Sequence, residues 1–278
     1  MTSEPKPKEA DHSGQASLSG KVAVITGGSQ GVGEAIARLF AVRGAAGLVI
    51  CGRNEKNGAR VAAEIEAAGC PISFVKADLG LVADCRKVVA EAERRFGRVD
   101  VLINAAGVSD RGNIFETTEE RFNEIFNVNV RAPFFLMQET AKIMRREKIH
   151  GSIVNIQSMS AHGGQPFIAA YCSSKGALAT LTRNVAHSLT KFRIRVNGLN
   201  IGWMATPGED RIMKTYHGAK EGWLAEAAKT RPFGRLIDPN EVARACAFLA
   251  SDESGLMTGA NIDFDQTIIG VSDPPIEP

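Results

Sequence analysis

No stretch of the chain approaches the roughly 18 consecutive apolar residues that a membrane-spanning helix requires; Arg, Asn or Gly interrupts the longest candidates. A membrane partner is therefore not expected. An excess of one charge is missing as well. The 33 Lys and Arg residues stand against 31 Asp and Glu, and a net charge of +2 leaves no electrostatic footprint for nucleic acid. Residues 1–17 lack an apolar signal-peptide core: they are polar, carry Pro5 and Pro7 and charges of both signs, and read as a disordered tail. The expected location is cytoplasmic. Cys51, Cys70, Cys85, Cys172 and Cys246 are odd in number, widely spaced, and form no C-x-x-C pair with a nearby His. That excludes a disulfide framework, and no metal site is expected. There is no internal repeat and no linker long enough to separate two bodies, so residues 18–278 are expected to form one domain.

What is present is a rhythm. Short β-branched apolar runs at 22–26, 48–51, 72–75, 99–104, 152–156, 194–199 and 260–264 alternate with longer helical patterns such as 33–43, 56–68, 83–96 and 119–144. Near-continuous apolar character suits strands buried on both faces of a parallel sheet, and the intervening stretches are long enough for the crossover helices that parallel pairing demands. The expected fold class is α/β, a doubly wound parallel seven-stranded sheet in a single domain.

Directly after the first run comes Thr26-Gly27-Gly28-Ser29-Gln30-Gly31-Val32-Gly33. Glycine at such a strand-to-helix turn lets the backbone approach a pyrophosphate at a helix N-terminus. A triphosphate loop would end in Gly-Lys-Ser/Thr, whereas this one ends in Gly33-Glu34. Alone the loop is a weak signal, but four further motifs follow in order: Asn104-Ala105-Ala106-Gly107, Asn129 within Asn127-Val128-Asn129, Ser158 after the fifth run, and Tyr171 with Lys175 as Y-x-x-x-K. Over about residues 18–264 this series resembles the short-chain dehydrogenases/reductases, whose sheet is a Rossmann fold.

The chemistry of the last pair can be argued from spacing. Tyr and Lys at i and i+4 share a helix face, and an ammonium beside a phenol favours the phenolate, so Tyr171 becomes a usable acid/base near neutral pH with Lys175 supplying the shift. Ser158 would hydrogen-bond and orient the substrate oxygen. The resemblance further implies that Lys175 binds the nicotinamide ribose and that Asn129 holds a relay water, completing a catalytic set of Asn129, Ser158, Tyr171 and Lys175. It implies dinucleotide contacts from Gly27, Ser29, Gln30, Gly31, Val32, Gly33, Arg53, Asn54, Asn104, Ala105, Gly107, Tyr171, Lys175 and Thr206, with Asp78 and Leu79 flanking adenine. At the end of the second run, Cys51-Gly52-Arg53-Asn54 has Gly52 where NAD-preferring relatives carry Asp, and Arg53 can meet a 2′-phosphate. NADP(H) is favoured over NAD(H).

On the substrate side, Gly202 and Thr206 survive from the family's P-G-x-x-x-T pattern, but its proline does not. A lid over about 203–236 is expected, with His162, Gln165, Trp203 and Met204 as pocket residues. The atypical Asp263-Phe264-Asp265-Gln266 segment is expected to reshape the pocket or a subunit contact. The expected reaction moves a hydride between nicotinamide and an alcohol or carbonyl carbon of a small molecule, a polyol or sugar among the candidates. The alternatives are a non-catalytic dinucleotide-binding sensor or scaffold, disfavoured by the complete acid/base set, and an extended-type epimerase, for which the C-terminal segment is short. The resemblance implies a homo-oligomer, dimer or tetramer, joined through the long helices at 119–144 and 171–190.

Overall fold

The computed structural model describes residues 16–270. Seven strands form one sheet: β1 (Val22–Thr26), β2 (Gly47–Gly52), β3 (Ile72–Lys76), β4 (Val101–Asn104), β5 (Ser152–Ser158), β6 (Arg195–Ile201) and β7 (Asn261–Phe264). All neighbouring strands pair in parallel, in the order β3-β2-β1-β4-β5-β6-β7. Both faces are buried, which is why the strands read as apolar runs. In β1 and β2, Ile25, Leu48 and Ile50 face one core while Val24, Val49 and Cys51 face the other.

The helices are α1 (Gly31–Val42), α2 (Glu55–Ala67), α3 (Val82–Phe96), α4 (Glu119–Phe126), α5 (Ala132–Arg146), α6 (Ala169–Leu189), α7 (Pro207–His217), α8 (Trp223–Lys229) and α9 (Pro239–Ala250). Their ends follow from local chemistry. Asp238 and Glu241 close a capping box on α9 with Pro239 in the first turn, and Gly97 ends α3 with φ of 71°. Phe40 of α1 and Val242 and Cys246 of α9 fill one core; Val88 of α3, Leu136 of α5 and Leu178's neighbour Thr182 lie on the other side of the sheet, with Val88 and Leu136 in its core. From β3 at one edge the chain returns across the sheet to β4, beside β1. That reversal opens a crevice at the carboxyl ends of β1 and β4.

Two expectations need correction. Residues 119–144 do not form one helix: a π-helical turn, Asn127–Arg131, separates α4 from α5. The buried Asn129 side chain is drawn off the helix axis by bonds to Val108 and Ser174, and such turns recur at functional sites. The tail assigned to 1–17 lies outside the described residues as far as 15, but Ala16 is buried and its carbonyl accepts from Arg43 Nη1 at 3.3 Å. Ala16 therefore belongs to the packed body.

Candidate active site

The glycine loop builds one half of the crevice. Gly27 and Gly31 have φ of 69° and 58°, and a Cβ at Gly33 would collide with the Gly27 carbonyl. No side chain caps the first turn of α1, because Gln30 at its N-cap makes no capping bond. Its orphan N–H groups open into a cleft of about 270 Å³, which suits a pyrophosphate. Gly27, Ser29, Gln30, Gly31, Val32, Gly33, Arg53, Asp78, Leu79, Ala105, Gly107 and Thr206 all line it, so the structure gathers twelve of the expected contacts from five segments. The residues present thus fit a dinucleotide.

Four expected contacts do not line this cleft: Tyr171 and Lys175, which lie on α6, and Asn54 and Asn104. Asn54 accepts from Asn57 N at 3.0 Å and caps α2; buried Asn104 donates Nδ2 to Asn155 Oδ1 at 2.8 Å. Both act on the walls. Gly52, Ala77, Ala106, Val108, Val128 and Gly208 line the cleft without having been expected as dinucleotide contacts. Most sit beside a residue that was, at the end of the same strand, and strand ends were the available signal. Val128 had none, since its exposure to the cleft depends on the π turn.

The other half is built on β5 and α6. Ser158 is the last residue of β5, Tyr171 and Lys175 lie one turn apart on α6, and buried Asn129 faces α6 from the π turn. Ser158 is near enough to Tyr171 to act on its phenol, and the Lys175 ammonium lies 5.6 Å from the Tyr171 ring centroid while donating to the Ile156 carbonyl at 2.9 Å. The Asn129 amide bonds the Val108 N–H and carbonyl, both at 2.9 Å, and donates to Ser174 Oγ at 3.0 Å. Ser174, missed in the sequence, thereby ties the π turn to α6. Thr26 Oγ1, also missed, accepts from Ala105 N and Ala106 N at 3.0 Å and joins the two cofactor loops.

The expected charge coupling is corrected by this geometry. Lys175 lies over the face of the Tyr171 ring, and the net shift of the phenol is not the downward one expected. Burial pushes the Tyr171 phenol up to about 12, with Ser158 working the other way, and burial pulls the Lys175 ammonium down to about 8. Loss of water outweighs the attraction.

The segment expected as a lid consists of α7, α8 and their connections. Thr206 caps α7 by accepting from Glu209 N at 3.1 Å, and Trp203 stacks on Trp223 with centroids 5.9 Å apart. Of the expected pocket residues, Met204 lines the cleft. His162 meets Asp263 at 2.9 Å, and Gln165 accepts from Ser160 Oγ. Gln266 accepts from Phe233 N and donates to the Arg235 carbonyl, both at 2.7 Å. The atypical C-terminal segment therefore braces the end of the lid.

A family model described as Enoyl-(Acyl carrier protein) reductase matches residues 27–266. Among curated relatives, the NADP-dependent (R)-specific alcohol dehydrogenase of Lentilactobacillus kefiri is 34% identical over 89% of this chain and 96% of its own. The chain belongs to the short-chain dehydrogenase/reductase family. Galactitol 2-dehydrogenase of Agrobacterium fabrum is 31% identical over 89% of this chain and 97% of that one. A solved structure from Beutenbergia cavernae, described as a proposed NAD(P)-dependent gluconate 5-dehydrogenase with NADP at low occupancy, superposes with a TM-score of 0.81. It is 32% identical and covers 90% of this chain and 97% of its own. This short-chain dehydrogenase/reductase is an NAD(P)-dependent oxidoreductase that acts on alcohol and carbonyl carbons. Among its described residues, no helix is long and apolar enough to cross a membrane.

Proposed function

We propose that this enzyme uses NADP(H) in preference to NAD(H) to interconvert a small polar alcohol and its carbonyl compound, with Tyr171 as proton donor and acceptor. The observation that carries the reading is the meeting of Tyr171, Ser158 and Lys175 on β5 and α6, at the same end of the sheet as the glycine cleft. When bound, the nicotinamide supplies the hydride chemistry. Ser158 holds the substrate oxygen, and Tyr171 passes its phenolic proton to that oxygen in reduction or takes the hydroxyl proton in oxidation. Lys175 would hold the nicotinamide ribose, and Asn129, which ties the π turn to Val108 and Ser174, would hold a relay water.

The preference for NADP(H) rests on the end of β2. Gly52 offers no carboxylate for a ribose, and a Cβ there would come within 2.6 Å of Ser29 Oγ. Arg53 is exposed on the cleft wall with no carboxylate within 4 Å among the described residues. Its guanidinium is available to a 2′-phosphate. Arg53→Ala is expected to lower the ratio of kcat/KM with NADPH to that with NADH by about 10- to 100-fold, the effect of one lost charge-assisted contact. Nicotinamide absorbance with each cofactor measures it, and an unchanged ratio sinks the assignment.

A homo-oligomer is part of the same reading. An apolar groove of about 630 Å³ runs between α5 and α6, lined by Phe126, Val130, Phe134, Phe135, Ala177 and Leu181, and Phe122 and Phe134 are exposed beside it. Sedimentation is expected to give a dimer or tetramer, and Phe134→Glu to shift it toward monomer; a wild-type monomer at micromolar concentration would end the claim. A reducing, cytoplasmic setting is supported by the five cysteines, all free and buried.

A further inference from the structure

Building on the oxidoreductase reading, we infer that Arg111 is a specificity-determining residue that takes a substrate carboxylate, so that the substrate is a small hydroxy or oxo acid. Arg111 lies on the loop between β4 and α4, which is registered onto the start of α6. Gly112 N donates to the Phe167 carbonyl at 2.9 Å and Ala169 N to the Gly112 carbonyl at 3.3 Å, forming a parallel bridge between Gly112 and Ile168. Two residues after Ala169 comes Tyr171. The guanidinium is thereby fixed beside the helix that carries the proton donor.

Three loops meet at this side chain. Arg111 Nε donates to Nε2 of His217, the last residue of α7, at 2.8 Å. The guanidinium carbon stands 5.4 Å from the Phe167 ring centroid, and the His217 ring meets Phe167 edge-on at 6.0 Å. The end of α7 thus meets Arg111 through His217, not through a carboxylate. No carboxylate lies within 4 Å of the Arg111 guanidinium among the described residues, and neither of its terminal nitrogens donates to any of them; Asp110 Oδ1 accepts only from the Arg111 backbone N–H, at 2.7 Å. Its neighbour Asp110 is already paired with Arg121. A half-buried guanidinium with a free planar fork is the geometry that a carboxylate fits with two parallel bonds.

Charge around the phenol orients such a molecule. Arg111 and Glu209 are both near enough to act on the Tyr171 charge, in opposite directions. Glu209 sits on α7 and accepts from Trp203 Nε1 at 2.8 Å. A ligand with its carboxylate toward Arg111 and neutral hydroxyls toward Glu209 satisfies both ends.

The test compares gluconate, sorbitol and sorbitol 6-phosphate, which share a six-carbon hydroxylated chain, on the full-length enzyme with NADP. The carboxylate is expected to exceed the neutral alditol in kcat/KM by at least about tenfold, the discrimination given by one charge-assisted pair. Arg111→Gln should erase most of that ratio through KM, and Arg111→Lys should recover part of it. Equal use of gluconate and sorbitol, preference for the phosphate, or an equal loss on all three in Arg111→Gln would overturn the inference. Binding is read independently from Trp203 and Trp223 fluorescence on titrating gluconate into the NADP-loaded protein. A saturable change that Arg111→Gln abolishes supports carboxylate recognition even if no panel member turns over, in which case it is the oxidoreductase reading that has failed. No change with gluconate, whether or not sorbitol is oxidised in a Tyr171-dependent way, overturns the carboxylate site alone.

Discussion

Tyr171→Phe is expected to lower kcat/KM by about 10²- to 10⁴-fold, the range for loss of a positioned acid/base, while leaving dinucleotide affinity nearly unchanged. The ring keeps its place on α6 and the cradle of Gly27 to Gly33 is not touched. Only the hydroxyl beside Ser158 is removed. The direction of the pH dependence follows from a phenol pushed up to about 12. Carbonyl reduction needs the protonated form, which persists across the neutral range, so the wild-type rate should be nearly level there. Alcohol oxidation needs the deprotonated form, whose fraction rises about tenfold per pH unit below the pKa, so oxidation should accelerate steeply toward alkaline pH. Stopped-flow rates in both directions check this. An oxidation rate in Tyr171→Phe with the wild-type slope would remove Tyr171 from its role.

The sheet was readable because burial on both faces turns a strand into an apolar run, so Val22 to Thr26 needs no alternation to declare itself. The cofactor half was readable for a related reason: the backbone does the binding, and a backbone that must approach a ligand can be written only with glycine. Gly33 under the Gly27 carbonyl is such a position. What stayed hidden depends on side chains brought together from distant segments. Nothing local to Asn129 announces that its amide will bond Val108 and Ser174 and force a π turn into an otherwise periodic helix. Arg111 was invisible for the same reason, since its partners Phe167 and His217 come from loops on two other strands.

The net shift of Tyr171, expected downward from its spacing to Lys175, is upward for a similar cause. Spacing on a helix brings two groups to one face, but it does not state how much water they lose. Lys175 is 4% exposed, and its ammonium points at the Ile156 carbonyl below the ring. In a site this dry each charge is penalised before it can help its neighbour. Tyr171 therefore keeps its proton across the neutral range, and Lys175 holds its own less tightly than a solvated lysine.

That desolvation makes Lys175 a source of instability, and Lys175→Met is expected to raise thermal stability at pH 7 while abolishing most turnover. Lowering the ammonium from 10.5 to about 8 costs the charged folded state about 3 kcal/mol. Met fills similar volume without charge but forfeits the bond to the Ile156 carbonyl, so the net gain should be about 1–2 kcal/mol, or a few degrees in Tm for a domain of this size. The sign reverses with pH. Between about 8 and 10.5 the folded lysine is neutral while the unfolded one still binds a proton, so wild-type stability rises with pH relative to Lys175→Met. The buried thiols act oppositely: Cys51 is pushed up to about 12, the unfolded chain releases such protons first, and stability falls above about pH 9. Both variants share that loss, so the difference between their denaturant midpoints isolates Lys175. The gap should favour Met at pH 7 and close or invert by pH 10. A gap that favours lysine at pH 7, or that does not move with pH, would mean that the ammonium is well solvated and that the site is not dry.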